Sequence, residues 1–193
     1  MKVTIGWLTA MVALGACDGG SPSSPDAQDA DATGDGDDDT ADVPPVPGFE
    51  PDEAPTGAAL WLTVDDPMAP VLQVWAQGLG TIFGLACHLE FDGARFAAGA
   101  PVLEPALGAD AAGEAGYLSA VRTGDVALGA ARREPDAGEV ELTTPTLVAT
   151  IPLTIVSAGT SRIDLTSAEV RRADGSYVPV ALAGGRLTAG GAP

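Results

Sequence analysis

Residues 82–91 read IFGLACHLEF, and the alternation of side chains along them decides the fold class. In a β-strand successive side chains point to opposite faces of the sheet, so every second residue shares a face. The large apolar side chains are expected to face a core: Phe83, Leu85, Cys87, Leu89 and Phe91. The other face carries small or polar side chains: Gly84, Ala86, His88 and Glu90. The pattern is that of a half-buried strand, in which a free cysteine packs as a small apolar side chain.

Runs of the same kind recur from about residue 58 onward, separated by turns rich in Gly, Pro and Asp. The predicted strands are ALWLTV (59–64), VLQVWA (71–76), TIFGLACHLEF (81–91), DVALGAA (125–131), TLVATIPLTIV (146–156), SRIDLTSAEVRR (161–172) and YVPVALAGGRLT (177–188). AGEAGYLSAV (112–121) fits either a strand or a helix. Many short strands without long helical segments predict an all-β sandwich, with one domain and one core over residues 58–190.

The N-terminal residues 1–16 have the organisation of an export signal. Lys2 is followed by twelve uncharged residues, VTIGWLTAMVAL (3–14), a run too short to span a bilayer as a helix. The next residues, LGAC (14–17), resemble the lipobox of bacterial lipoprotein signals. That resemblance implies cleavage of a lipoprotein signal peptide before Cys17 and attachment of diacylglycerol to its sulfur. The alternative is an ordinary signal peptide with an unmodified cysteine.

The expected location follows from this anchor. Two or three long acyl chains hold a protein on a membrane, so we expect an exported, membrane-anchored lipoprotein. Asp18, directly after the lipobox, marks inner-membrane retention in some Gram-negative bacteria. The length of the following segment favours the outer membrane or cell surface over the inner membrane. A disulfide between Cys17 and Cys87 is not expected, because Cys17 carries lipid and Cys87 points inward.

Residues 17–57 form a predicted disordered tether. The chain has a formal net charge of -18, and residues 18–57 hold twelve of its 27 acidic residues with no Lys or Arg. Like charges repel, and the few apolar residues cannot offset the entropy of ordering. The chain also lacks a basic stripe that would neutralise phosphates, so we expect neither nucleic-acid binding nor attachment to anionic lipid through a polybasic patch.

One part of the tether, DADATGDGDDDT (29–40), begins like a calcium loop. Its acidic residues and glycine have suitable spacing: Asp29, Asp31, Gly34, Asp35 and Asp37. Position 12 is Thr40 in place of the bidentate Glu of an EF-hand, and no amphipathic helix flanks the loop. Weak, diffuse binding of Ca²⁺ is expected, and no cofactor.

The sequence contains no arrangement that predicts catalysis. Nucleophile-elbow, zinc-protease, P-loop and dinucleotide-binding motifs are all absent, so we expect a protein that is not an enzyme. His88, Glu90 and Asp92 form a short polar row at every second position. The row is a binding-face cluster, a weak metal site or an ordinary solvated sheet face. We favour the solvated face and expect no metal, because the single histidine has too few companion ligands for zinc.

Two longer stretches resemble cohesin-type domains, whose superfamily also holds β-sandwich carbohydrate-binding modules. HLEFDGARF (88–96) resembles the family's third strand and following turn. ATIPLTIVSAGTSRIDLTSAEVRRADGSYVPVALAGGRLT (149–188) resembles its C-terminal half, within an overall resemblance over residues 58–189. The resemblance implies a jelly-roll sandwich of about nine strands without catalytic activity. Cohesins bind dockerin modules through one exposed sheet face, which here would include Ala86, His88 and Glu90.

These observations favour a non-catalytic, lipid-anchored module of the cell envelope. It would present its sandwich to a dockerin-like protein or to a polysaccharide. Trp61 and Trp75 complete the candidate binding face, because two tryptophans form a flat surface on which a sugar stacks; the alternative, packing on the sandwich or the tether, is favoured. The alternative function is a structural or envelope-assembly lipoprotein without a specific small ligand. We expect a monomer.

Overall fold

The computed structural model describes residues 46–53, 55–105, 115–133 and 139–190. These ranges contain fourteen β-strands and no α-helix, and therefore no membrane-spanning helix. The predicted lipidation residue Cys17, the calcium-like sequence 29–40 and most of the predicted tether lie outside the described residues. The strands are β1 (Gly48–Pro51), β2 (Ala59–Asp65), β3 (Val71–Gln77), β4 (Gly80–Ile82), β5 (Gly84–Phe91), β6 (Phe96–Ala98), β7 (Val102–Leu103), β8 (Ala115–Arg122), β9 (Asp125–Arg132), β10 (Val140–Leu142), β11 (Thr146–Ile155), β12 (Gly159–Arg171), β13 (Ala181–Ala183) and β14 (Gly185–Ala189).

Two sheets form an all-β jelly-roll sandwich. The first sheet has the order β1-β14-β12-β5-β9-β8, and the second has the order β13-β2-β3-β11-β6, with β7 also paired to β11. All pairs are antiparallel except β13 and β2, which run parallel. A two-stranded ladder of β4 and β10 completes the described strands. Eight strands have five residues or more, close to the nine expected.

The core lies between the two sheets and contains the inward side chains that the alternation predicts. In β5, Leu85, Cys87 and Leu89 are buried, at 3%, 3% and 0% exposure. They pack in one cluster with side chains of the second sheet: Leu60, Leu62, Leu72, Val74 and Ile151. The inward placement of Cys87 is confirmed, and burial raises the pKa of its thiol to about 12. At neutral pH it is therefore a thiol and not a reactive thiolate.

Two predicted strands are interrupted, because the chain changes sheets within them. The run 81–91 divides into β4 and β5, with the half-buried Phe83 between them outside the core. The run 177–188 divides into β13 in the second sheet and β14 in the first, with Gly184 at the corner. A Cβ atom on Gly184 would lie 2.3 Å from the carbonyl oxygen of Ile163, so the corner requires glycine. The segment left open between strand and helix is strand β8.

The folded part begins before the expected boundary at residue 58. Strand β1 pairs with β14, and the Phe49 ring packs directly on Gly185. A Cβ atom added to Gly185 would lie 2.3 Å from this ring. Sequence patterning did not predict this strand, because its four residues lie among acidic residues and prolines and pair with a strand over 130 residues away.

An ionic contact fixes the end of β1 to the sandwich. The Asp52 carboxylate accepts hydrogen bonds from both terminal nitrogens of Arg162, at 3.2 and 2.7 Å, and from the Gly184 amide at 3.1 Å. The hydrogen bonds from Arg162 are the main cause that lowers the pKa of Asp52 below its ordinary value of 3.8. The contact is partly solvent-exposed, so its contribution is modest.

We expect Asp52→Asn to lower the free energy of unfolding by about 1 kcal/mol at pH 7. A carboxyl whose pKa is lowered by folding stabilises the protein above its unfolded pKa and loses that contribution as the pH falls through the folded pKa. The difference between wild type and variant should therefore shrink below about pH 4. Urea unfolding at pH 7 and pH 3 measures it, with the exposed Asp65→Asn as control. A difference that stays constant with pH would contradict the assignment.

Candidate functional site

The most distinctive surface of the described residues is the outer face of the first sheet, over β12, β5, β9 and β8. We call it the docking face. Its floor consists of small side chains that stand opposite one another on neighbouring strands: Ala86, Ala127, Gly129, Ala120, Gly116 and Ala131. Because these side chains are short, the floor is recessed. Two open hollows of ≈ 500 and ≈ 380 Å³ adjoin along it and share Ala86, Leu118, Gly129 and Glu169.

Leu118 is the most exposed large apolar side chain of the docking face. It lies on β8 opposite Gly129, and 80% of its surface is exposed. Strand β8 is the last strand of the first sheet, so no strand of the described ranges lies beyond the Leu118 side chain. A large exposed leucine above a floor of Ala and Gly makes an apolar patch of the kind that marks protein interaction sites.

Two charged side chains, Glu169 and Arg171, line the second hollow, and an aromatic ring packs against Arg171. Arg171 Nε lies 2.5 Å from a Glu169 carboxylate oxygen, and this hydrogen bond is the main cause that raises the pKa of Arg171. The Arg171 guanidinium also lies 4.4 Å from the centre of the Tyr177 ring and donates to the Tyr177 hydroxyl. Tyr177 is 58% exposed. Tyrosine and arginine are the residue types most often found to dominate the energy of protein interfaces.

His88 and Glu90 lie on the docking face, as the alternation predicts, but their neighbouring side chains differ. His88 Nδ1 lies 3.5 Å from an Asp125 carboxylate oxygen, and Ser167 stands beside it on β12. Glu90 stands between Asp125 and Asp164 in the register of three strands, so this end of the face is acidic.

The predicted polar row does not extend to Asp92, because β5 ends at Phe91. The Asp92 carboxylate instead accepts the Ala94 amide at 2.9 Å and contacts Arg95 within the following turn. Within the described ranges, no group of three or more His, Cys, Asp or Glu side chains is arranged to hold a metal ion.

Trp61 and Trp75 do not join Ala86, His88 and Glu90, so the predicted single face is wrong in this respect. They lie on β2 and β3 of the second sheet, opposite each other, on its outer side. Alternation predicts which side chains share a face within one strand, but it does not predict which of two sheets a strand enters. The candidate residues therefore form two separate surfaces on opposite sides of the sandwich.

Sequence reasoning missed Leu118, Arg171 and Tyr177. Leu118 was missed because its segment was left open between strand and helix. A local signal for the floor was present: in DVALGAA (125–131) every second residue after Asp125 is Ala or Gly, which is unusual for an outer sheet face. The contact between Tyr177 and Arg171 depends on the conformation of the turn between them, which no local sequence pattern predicts.

No family model matches the chain, and no curated protein matches it. Solved structures do match. A cohesin module from the family 33 glycoside hydrolase of Clostridium perfringens superposes with a TM-score of 0.55 at 16% identity, covering 70% of this chain and 98% of that one. A cohesin from Clostridium acetobutylicum gives a TM-score of 0.57 at 14% identity, covering 71% and 93%.

The chain has the cohesin fold. A type II cohesin from a cohesin–X–dockerin complex of Acetivibrio cellulolyticus also matches, with a TM-score of 0.55 at 10% identity and coverage of 64% and 93%. The matches cover 91% or more of most of these cohesin chains, so the cohesin-like domain of this protein spans nearly a whole module. Identities this low establish the fold alone.

Proposed function

We propose that this protein is a non-catalytic binding module that receives a dockerin-like protein on its docking face. The observation that carries the proposal is the recessed apolar floor, bordered by Leu118, Glu169 and Arg171. An envelope lipoprotein without a ligand needs only an evenly polar surface. Two contiguous hollows lined by Ala and Gly on an outer sheet face leave apolar surface in water, and a partner would cover it.

The fold supports the same proposal. Several of the matching cohesins were solved in complex with dockerins. Strands β12, β5, β9 and β8 give a broad surface without a covering layer among the described residues. A partner would bury the apolar floor at the centre of the contact, while Glu169, Arg171 and Asp125 would lie at its polar rim.

The direct experiment is calorimetric titration of the mature chain with purified dockerin modules of the type I and type II classes. We expect saturable one-to-one binding to at least one module. Site-specific photo-crosslinkers at position 118 should join the partner, whereas crosslinkers at position 156 should not. Absence of binding to every module, or crosslinking at position 156 alone, would contradict the proposal.

The proposal includes the anchor. The lipobox implies a diacylglycerol on Cys17, and the tether that the sequence predicts after Cys17 would carry the cohesin-like domain away from the membrane. A flexible chain of about 30 residues would have a root-mean-square length of about 30 Å, and repulsion between carboxylates would extend it further. This reach favours display from the outer membrane or cell surface.

We expect the mature protein to begin at Cys17 and to carry the mass of two or three acyl chains. Mass spectrometry of the N-terminal peptide from a bacterial expression host measures this mass. Cys17→Ser should remove the acyl mass and release the protein from the membrane fraction, whereas Cys87→Ser should leave both unchanged. An unmodified Cys17 in the membrane-bound protein would contradict the anchor and would leave the docking proposal intact.

A further inference from the structure

The outer face of the second sheet carries a second surface, which we call the tryptophan patch. Trp61 and Trp75 stand opposite each other on β2 and β3, with ring centres 6.2 Å apart and planes inclined by only 17°. The same row across the sheet continues to Leu147 on β11 and Ala183 on β13. The next row on this outer face, two residue pairs along the strands, is polar: Thr63, Gln73 and Thr150.

The core does not account for these two tryptophans. The sandwich is filled by the side chains on the inner face of the same strands, such as Leu62 and Val74, which are fully buried. Trp61 and Trp75 point to the other side and remain half-buried. Two adjacent, nearly parallel indoles on an outer face are therefore a feature that the stability of the sandwich does not require.

Hydrogen bonds order the polar row beside the rings. The Trp75 indole N–H donates to Thr63 Oγ1 at 2.9 Å, and the Thr63 hydroxyl donates to Gln73 Oε1 at 2.8 Å. These two hydrogen bonds fix the orientation of the Gln73 amide, because its oxygen accepts the hydrogen bond from Thr63. Its nitrogen carries two further hydrogens, and no acceptor for them lies among the described residues. The patch thus combines an ordered pair of indole rings with the two amide hydrogens of Gln73, which no described residue accepts.

Charge distinguishes the kind of ligand. None of the side chains in the two rows is charged, although the chain has a formal net charge of -18. The docking face, by contrast, has Glu169, Arg171 and Asp125 at its rim. An uncharged surface that offers flat rings and amide donors suits a neutral ligand with apolar C–H faces and many hydroxyl groups. Neutral carbohydrates have this combination, and charged peptides or anionic polymers do not.

We propose that the tryptophan patch binds a neutral polysaccharide. Sugar rings pack against the exposed part of the stacked Trp61–Trp75 pair, and their hydroxyl oxygens accept hydrogen bonds from the Gln73 amide. This site does not depend on the docking face, because the two surfaces lie on opposite sides of the sandwich. A single module would then hold a protein on one side and a glycan on the other.

The test is titration of the full chain, carrying Trp7→Phe so that its fluorescence comes from Trp61 and Trp75 alone. The probes are neutral hexasaccharides of β-1,4-glucose, β-1,4-N-acetylglucosamine, β-1,3-glucose and β-1,4-xylose, with hexagalacturonate as the anionic comparison. We expect at least one neutral sugar to bind, to shift the emission and to protect it from acrylamide quenching. Trp61→Ala and Trp75→Ala should each weaken this binding about tenfold.

Two controls separate this result from loss of folding and from the docking proposal. Trp61→Phe and Trp75→Phe keep an aromatic ring and should retain most of the affinity, while Leu118→Asp should leave sugar binding unchanged. Binding of hexagalacturonate alone, no binding to any neutral sugar at millimolar concentration, or wild-type affinity in both alanine variants would overturn the proposal. Protection from acrylamide is measured on the wild-type patch, so the test holds even if an alanine variant fails to fold.

Discussion

The double variant Ala86→Arg and Leu118→Asp is expected to fold like the wild type and to bind its dockerin-like partner at least about 100-fold more weakly. A large cationic side chain at position 86 would fill the centre of the recessed floor. A carboxylate at position 118 would replace an 80% exposed apolar contact with a charge that must be desolvated on binding. Central interface residues of this kind account for about 2 kcal/mol or more each, so a 100-fold loss is the lower bound.

The fold should tolerate both changes because both side chains are exposed on an outer sheet face. Calorimetry with the dockerin module that binds the wild type measures the loss, and thermal unfolding confirms that the domain is intact. Val156→Asp is the matched control, since Val156 is also an exposed apolar residue, at 58%, but follows β11 of the second sheet. If the double variant bound as tightly as Val156→Asp, the docking face would not be the binding surface.

Gly184→Ala is expected to lower the free energy of unfolding by about 3 kcal/mol, and Gly184→Val by more. The added Cβ would lie 2.3 Å from the Ile163 carbonyl oxygen and 3.2 Å from Asp164 Cα. Backbone atoms of a central strand cannot give way as a flexible side chain does. Relief would require β13 and β14 to separate from β12, which also displaces the Gly184 amide from Asp52.

Urea unfolding followed by far-ultraviolet circular dichroism measures this loss on the mature chain. Gly48→Ala is the matched control, because no atom lies within 4 Å of a Cβ at position 48. This residue lies on β1, the edge strand of the first sheet. An unfolding free energy for Gly184→Ala within a few tenths of a kcal/mol of the Gly48→Ala value would show that the sheet corner is not sterically closed.

The long strands could be predicted from the sequence because alternation is a local signal. The core side of β5 and the exposure of Ala86 and His88 follow directly from it. The sheet changes at Phe83 and Gly184 could not be predicted in the same way, since they depend on which distant strand each segment meets. Strand β1 was missed for the same reason: the partner of Gly48 is Thr188.

The candidate site was predicted only in part. Three residues of the docking face were found through the period of a single strand, but its most exposed large apolar side chain, Leu118, lies on β8, whose pattern is ambiguous. Grouping Trp61 and Trp75 with Ala86 was an error of sheet assignment. The stacking of the two indoles on each other was not predicted, because it requires β2 and β3 to pair in a particular register.

The burial of Cys87 has a consequence for the lifetime of the protein outside the cytoplasm. If Cys17 is acylated, Cys87 is the only thiol of the mature chain, which has two cysteines in total. In an oxidising compartment a thiol that reaches solvent is captured by oxidants or by another chain. Each opening of the sandwich therefore risks a covalent trap that prevents reclosure. The rate at which the sandwich unfolds and exposes the Cys87 thiol would then set the functional lifetime of each molecule.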